Sequence, residues 1–547
     1  MKKTKFFLAL PIMLMLVGCS NVLTYSNGET RYNKTTQKMT TTSQNETTRK
    51  RTRRTRKTNA SSTTNQTTTN SRTTTRRTTT RRTTTNGITT KQHVSAVNKI
   101  SFYVWNNEFQ SRVNDFYPNV NYYDSSRTYL LDGSYIEWVA TSNELGTYQS
   151  VVDQAFDNNL VDMFCFEADY AAKYVNHQDK IANLNSIYGL NTSKYYNYTK
   201  QIATDDNGEL KGVAWQIVPG VITYNMNVAK TIFGEDVTYN TMKNKLSSKA
   251  NFYETAEQIR NSSMNIPKVK YFTMAGPDCW YYTFTNNLNQ KMFDDNGTET
   301  HNDDVITIDK NLFRWARDTR DFYNARYIKS VDDDYCLWGE AWGSEQGKDN
   351  CLCLFSCPWY NDFCLTGYRY NKGEDHIPVT ARTDVNMRIV PTFDGWFWGG
   401  TWIGATKKAL NNASIRSSIE DLLKTMTTDD DVMYNVTMNT YDCPNNSNIL
   451  DEIGRDAYFN YNYFGGQNPF AVYELAVNAI NLENKCDYDY LIVERFNLAF
   501  RDYFNGSETL QVVWNTIVQD LKIRVLLKSV EMPDSVTFSD DSIVINY

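Results

Sequence analysis

The chain has 547 residues and a formal net charge of −5, a length that suggests roughly two to four domain-sized units. That charge is unevenly divided: residues 21–92 hold sixteen Lys and Arg against Glu29 and Glu46, whereas from His93 onward 38 basic side chains face 60 acidic ones. So acidic a body repels phosphate backbones and disfavours nucleic-acid binding, and four scattered histidines (His93, His177, His301, His376) argue against chemistry built on a histidine cluster.

Lys2, Lys3 and Lys5 precede an apolar run over residues 6–17. That run is too short to cross a bilayer and has the length of a signal-peptide core. It closes on Leu16-Val17-Gly18-Cys19, which resembles the lipobox of bacterial lipoproteins. The resemblance implies removal of residues 1–18 and a diacylglycerol on the Cys19 thiol. The mature protein is then held on the outside of a bacterial cell membrane by lipid, with no transmembrane helix. The alternative is a secreted protein with a chance cysteine.

Residues 19–97 are expected to form a disordered tether. They are built from Thr, Arg, Asn and Ser, with the near-repeat Thr73-Thr-Thr-Arg-Arg-Thr-Thr-Thr-Arg-Arg82. Almost nothing there is apolar, so nothing offsets the entropy of ordering it. As a random coil such a segment spans on the order of 50 Å. It reads either as a spacer that holds the body off the membrane or as a drifted linker with no partner.

The body begins with a β-rich run, Ile100-Ser-Phe-Tyr-Val-Trp105, broken at Asn106-Asn107, after which residues 108–116 read as a helix. Strand signal returns over 135–140 and helix signal over 148–158. Asp162-Met-Phe-Cys-Phe166 is a third, buried strand that leads into Glu167 and Asp169. Alternating strands and helices predict an α/β sheet with functional loops at the carboxyl ends of its strands. Residues 213–225 form a long extended segment interrupted by Pro219-Gly220, the form of a strand that serves two sheets and acts as a hinge.

These pieces together resemble an extracellular solute-binding lipoprotein of the carbohydrate class, family 1 type, the receptor of an ABC sugar transporter. The resemblance rests on Trp105 with Glu108, on Asp162 to Asp169, on Val218-Pro-Gly-Val-Ile-Thr-Tyr-Asn225 with Ala229 to Gly234, and on Ala275-Gly-Pro-Asp278. Further matches are Val390-Pro-Thr-Phe-Asp-Gly395, running into Trp396 to Gly404, then the helix signal over 414–426, Phe464-Gly-Gly-Gln-Asn-Pro-Phe470, and a closing helix over 501–523. It implies a two-lobed periplasmic-binding-protein type II α/β fold with hinge strands. Lobe 1 is expected over 98–216 plus 396–430, and lobe 2 over 217–395 plus 431–547. The implied partners are a neutral mono- or oligosaccharide and the permease subunits, with no cofactor. The long tether, the cysteine count and a tail after Lys528 depart from the family pattern.

A sugar offers apolar ring faces and a rim of hydroxyls, which aromatic rings and carboxylates or amides respectively bind. Aromatic residues make up 14% of this chain, with twelve tryptophans, enough to supply the faces. The candidate ligand-binding residues are Trp105, Glu108, Glu167, Asp169, Trp215, Asp278, Trp280, Trp338, Trp359, Trp396, Trp398, Trp402 and Gln467. Each ring has a competing role in the core and each carboxylate a competing role as a helix cap. Trp396, Trp398 and Trp402, set among glycines beside the expected hinge, are read as ligand-facing. Cys351, Cys353, Cys357 and Cys364 match no zinc spacing, and their neighbours Leu352, Leu354 and Phe355 make a buried strand, so no metal is expected. Two rival functions remain in view, a surface adhesin that kept the receptor fold and a glycoside hydrolase pairing Glu340 with Asp278. No nucleophile elbow supports an enzyme.

Overall fold

The computed structural model describes residues 97–143, 146–176, 178–265, 270–277, 280–293, 304–330, 351–362, 386–461, 464–525 and 527–546. The signal peptide, Cys19, the tether, Asp278 and Trp338 lie outside these residues. The described strands are β1 (Asn98–Val104), β2 (Val120–Tyr123), β3 (Arg127–Leu130), β4 (Ser134–Ala140), β5 (Met163–Glu167), β6 (Val221–Asn225) and β7 (Phe272–Met274). After them come β8 (Val305–Thr307), β9 (Cys351–Ser356), β10 (Met387–Pro391), β11 (Thr401–Ala405), β12 (Ser529–Glu531), β13 (Val536–Ser539) and β14 (Ser542–Ile545).

Two main sheets organise them. A six-stranded sheet runs β11-β5-β1-β4-β3-β2, and a four-stranded one runs β10-β6-β9-β7. β1 lies parallel between β4 and β5, while β11 joins the far side of β5 antiparallel. β1 and β5 are buried along most of their length, as expected where helices cover both faces of a parallel sheet. In the second sheet β6 is antiparallel to both β10 and β9, and β7 is parallel to β9. β9 is buried throughout, Cys351 and Cys353 included, and bears out the reading of this stretch as a core strand. Free cysteine there behaves as a small hydrophobe.

Three extended segments cross between the sheets side by side. Residues 213–220 leave the six-stranded sheet for β6, and residues 391–401 return from β10 to β11. They run antiparallel. Val213 and Ile403 exchange both backbone bonds (3.1 and 2.8 Å), Trp398 N–H donates to Val218 O (3.2 Å), and Gly220 N–H donates to Trp396 O (2.7 Å). The third segment, residues 441–446 between the helices Asp430–Thr440 and Ser447–Gly454, lies on the other flank, where Ile217 N–H donates to Cys443 O (2.8 Å) and Asn445 N–H to Trp215 O (3.0 Å). The segment expected as one interrupted strand is therefore a strand only from Val221. Its first half pairs with two neighbours instead.

Gly220 makes this crossing possible. A Cβ there would lie 1.9 Å from Trp396 Cε2. Gly220→Ala should push the Trp396 ring out of its place and cost about 1–3 kcal/mol, read as a lower midpoint in urea with an unchanged slope. A midpoint equal to the parent's would show that the ring can yield.

The helix Asp430–Thr440 packs on Glu108–Phe116 and Arg416–Thr428, beside the six-stranded sheet, whereas Phe470–Val477 packs on β10 and β6. The expected closing helix proves to be two, Asp489–Phe504 and Leu510–Val525, parted at Gly506 (φ 79°). The tail folds back: β12 pairs parallel with β8, and the β13–β14 hairpin packs on the helix Lys310–Asn324. No helix among the described residues is long and apolar enough to cross a membrane.

Candidate binding site

Two groups of carboxylates form where the sheets meet the crossing segments. Asn106 Oδ1 accepts the Glu108 N–H at 2.9 Å, which turns the chain after β1 and starts the helix Glu108–Phe116. One turn on, Arg112 shares a face with Glu108. Its guanidinium grips Asp442 of the third crossing segment in a bidentate pair, Nε to Oδ2 at 2.5 Å and Nη2 to Oδ1 at 2.7 Å. The two side chains are only 4% and 9% exposed. Trp215 Nε1 also donates to Asp442 Oδ2, at 3.2 Å. Glu108 stands 3.9 Å from Arg112 and accepts a long bond from Gln216 (3.5 Å). Burial, and next the charge on Asp442, push the Glu108 carboxyl up to about 7. Beyond β9, Asp362 accepts from Tyr461 OH at 2.6 Å, and burial raises it well above the usual carboxylate range, helped by Asp442. Arg112 supplies the counter-charge to the buried Asp442 at bonding distance.

The second group stands at the end of β5. Glu167 accepts from Asn143 Nδ2 at 3.1 Å, and Asn143 is itself held by Gln149 at 2.7 Å. Burial, then the neighbouring Asp169, drive Glu167 up to about 8. Asp169 rises to about 6 by burial, a rise that the Lys485 charge reduces and the Glu494 charge adds to. The adjacent Tyr170 meets Tyr490 of the helix Asp489–Phe504, ring to ring at 5.0 Å and hydroxyl to hydroxyl at 3.3 Å. This ties the end of β5 to a helix that packs on the helices Lys310–Asn324 and Leu510–Val525.

An aromatic wall adjoins these carboxylates. Trp359, just past β9, donates Nε1–H to Trp398 O (3.0 Å), and its ring lies 4.7 Å from that of Trp398. Tyr360 and Tyr282 add rings at 5.1 and 6.1 Å from Trp398. Gly399 (φ 67°) joins wall and acid, since a Cβ there would lie 3.3 Å from Glu167 Oε1 and 3.8 Å from Trp359 Nε1. Only a residue without a side chain leaves that gap open. Trp105 is half-buried at the end of β1, edge-on to Tyr148 at 5.4 Å.

Five expected ligand residues are instead tied into the fold. Trp280 is fully buried, with Nε1–H bonded to Thr319 Oγ1 at 3.0 Å. Trp402 is equally buried and bonded to Thr199 O at 2.9 Å. Trp396 lies beneath Gly220, stacked on Tyr282 at 5.8 Å. Trp215 packs on Phe109 at 4.9 Å and supports Asp442. Gln467 spends both ends of its amide on Ile389, accepting from N–H at 3.0 Å and donating to O at 2.7 Å, and so clasps β10. The wall and the acids thus comprise Trp105, Glu108, Glu167, Asp169, Trp359 and Trp398 from the sequence. They are joined by Arg112, Asn143, Asp362, Asp442, Tyr282, Tyr360, Tyr461 and Tyr490, which the sequence reading did not single out. The one signal for the tyrosines was their abundance, 37 in all.

No protein-family model matches the chain, and no curated protein matches it. Solved structures do match, over most of the body. An extracellular solute-binding protein of family 1 superposes with a TM-score of 0.57 at 13% identity, covering 78% of this chain and 98% of its own. The maltose-bound MalE3 of T. maritima gives 0.54 at 12% identity, over 78% of this chain and all of its own. The ABC transporter associated binding protein of B. animalis subsp. lactis Bl-04, in complex with beta-1,6-galactobiose, gives 0.53 at 14% identity over 80% of this chain and 100% of its own. What this likeness establishes is the fold. It is the two-lobed α/β architecture of extracellular solute-binding proteins, as the sequence resemblance implied.

Proposed function

We propose that the chain is the substrate-binding lipoprotein of an ABC importer and captures a neutral sugar or oligosaccharide between two lobes that close on it. One observation carries this reading: Glu167 at the end of β5 in one sheet and the half-buried Trp359 just past β9 of the other stand on either side of the gap at Gly399, with Trp398, 8% exposed, packed on Trp359. Rings suit the C–H faces of a sugar, and carboxylates and amides suit its hydroxyls. The relatives from T. maritima and B. animalis hold maltose and beta-1,6-galactobiose, which supports a carbohydrate ligand. The acidic body, with 60 acidic against 38 basic side chains from His93 onward, disfavours phosphorylated and anionic sugars. Lobe 1 comprises 98–216 and 396–430, extended to the helix Asp430–Thr440 that packs on it, and lobe 2 the rest of the body. Ligand that binds the closed form more tightly shifts the open–closed balance about the crossing segments. The closed form is what the permease subunits recognise. Lipid on Cys19 and the tether keep the receptor at the membrane, outside the cell.

The test is calorimetry of the full-length protein against a panel of neutral sugars. Stacking on one ring contributes on the order of 1 kcal/mol beyond the area it buries. Trp398→Ala should therefore weaken the best sugar at least several-fold, below the melting point of either protein. Equal affinity in the two proteins would make Trp398 a packing residue. Absence of binding by every neutral sugar would remove the carbohydrate assignment.

A further inference from the structure

Beside the crossing segments lies a cavity of about 100 Å³, lined chiefly by Asn286, Asn287, Asn481, Glu483, Asn484 and Lys485. Its four amides share one arrangement, in which one end is fixed to backbone and the other is left over. Asn286 Oδ1 accepts from Phe397 N–H (3.2 Å), and Asn481 Oδ1 accepts from Glu483 N–H (3.0 Å). Asn287 Nδ2 donates to Gly395 O (2.9 Å), and Asn484 Nδ2 to Leu288 O (2.8 Å). Two NH₂ groups and two carbonyl oxygens therefore remain, each with its direction set by the bonded end. Glu483 is exposed, and Lys485 faces Asp489 at 3.9 Å.

We infer that this cavity is a second binding site, for one edge of a neutral polyhydroxyl ring. A hydroxyl donates one bond and accepts two, so a lining of unspent donors and acceptors suits it better than an anion or a cation. The volume corresponds to about three waters at roughly 30 Å³ each, enough for the hydroxyl-bearing edge of a sugar. Asn286 and Asn287 also hold the backbone of residues 395–397, so an occupant braces a crossing segment. The ring has two possible sources, a free monosaccharide or the terminal unit of a chain lying along the carboxylate and aromatic site. The two places share a crossing segment, since Asn287 and Asn286 bond to Gly395 and Phe397, next to Trp398.

The probes are glycerol, glucose, galactose, xylose, N-acetylglucosamine and linear trisaccharides of these sugars, titrated into the full-length protein. Asn481→Asp keeps the oxygen that accepts from Glu483 N–H and replaces the unspent NH₂ by a charged oxygen. The expected result is an event at least tenfold weaker in Asn481→Asp at an unchanged melting temperature. If monosaccharides show that event as a second one, which survives in Trp398→Ala, the occupant is a free sugar. If only trisaccharides show it, the occupant is the chain's end. Should Asn481→Asp not fold, Asn481→Phe, which fills the cavity from its exposed rim, carries the same expectation. Isotherms within twofold of the parent for every probe would overturn the site. That outcome is separate from failure of the importer reading, which shows in the Trp398→Ala comparison.

Discussion

Arg112→Met is expected to lower the unfolding free energy by about 3–5 kcal/mol, the cost of breaking a buried ion pair from one side. Asp442→Asn is expected to cost less. The asymmetry comes from Glu108. Removing Arg112 leaves Asp442 buried beside Glu108 and Asp362 without the cation that faces all three. Removing the Asp442 charge leaves burial, the larger cause of the raised Glu108 carboxyl, in place but withdraws the second, the neighbouring negative charge. Glu108 then ionises more readily and offsets part of the lost counter-charge 3.9 Å from Arg112. The Asn side chain still accepts from Trp215 Nε1–H. Urea unfolding followed by tryptophan fluorescence measures both variants, and the double variant Arg112→Met/Asp442→Asn should recover part of the loss. Equal costs for the two single variants, or a larger one for Asp442→Asn, would show that Glu108 does not act as a reserve charge.

The elements read correctly from sequence are those whose environment is uniform along their length. Ile100 to Val104 and Met163 to Phe166 are buried on both faces, so they read as unbroken apolar runs. Residues 108–116 carry their own start signal in Asn106-Asn107. The short strands β2, at the sheet edge, and β3, beside it, escaped notice because Val120-Asn-Tyr-Tyr and Arg127-Thr-Tyr-Leu are four residues each and only half-buried. Their tyrosines stack across the strands, Tyr122 on Tyr129 at 4.3 Å, a pairing set by register and not by local pattern.

The candidate site was less legible, for a different reason. A tryptophan's role depends on where its N–H finds a partner, and for Trp280 and Trp402 that partner is 39 and 203 residues away in sequence. Gly395 to Trp402 does form part of a hinge-like crossing, as the glycines suggested. The glycines let the backbone approach buried rings at Gly220 and open a gap at Gly399, and only the second of these faces the acids. Arg112 and Asp442 are 330 residues apart and meet only because a third segment crosses between the sheets. Neither residue is unusual within its own stretch of sequence. Gln467 sat in a turn of the expected kind, but a turn gives no sign of which side its amide faces.

Stability should fall as pH rises from about 5 to about 8, the reverse of ordinary acid unfolding. Glu108, Glu167 and Asp169 have carboxyls raised to about 7, about 8 and about 6, from unfolded values of 4.5, 4.5 and 3.8. Between each pair of values the folded chain holds a proton that the unfolded chain has released. Stability then decreases with pH, because the folded state binds more protons. The stabilisation is complete below the unfolded values and is lost as pH passes through the folded ones. Carboxyls shifted the other way, at Asp132, Glu137, Asp205 and Asp430, are held below their ordinary values by hydrogen bonds and cations. Their contribution is full above about 4.5 and is lost only in more acid solution, so the two sets act in separate windows and the optimum lies near pH 5. Across the upper window the loss should be on the order of a few kcal/mol, with part of each group's share screened by solvent. Denaturant unfolding at pH 5, 6.5 and 8 measures it, and Glu167→Gln, which stays neutral throughout, should flatten the slope. A parent curve that is level or rises over this range would mean that these carboxyls ionise freely in the folded protein, and that the site is wetter than its packing implies.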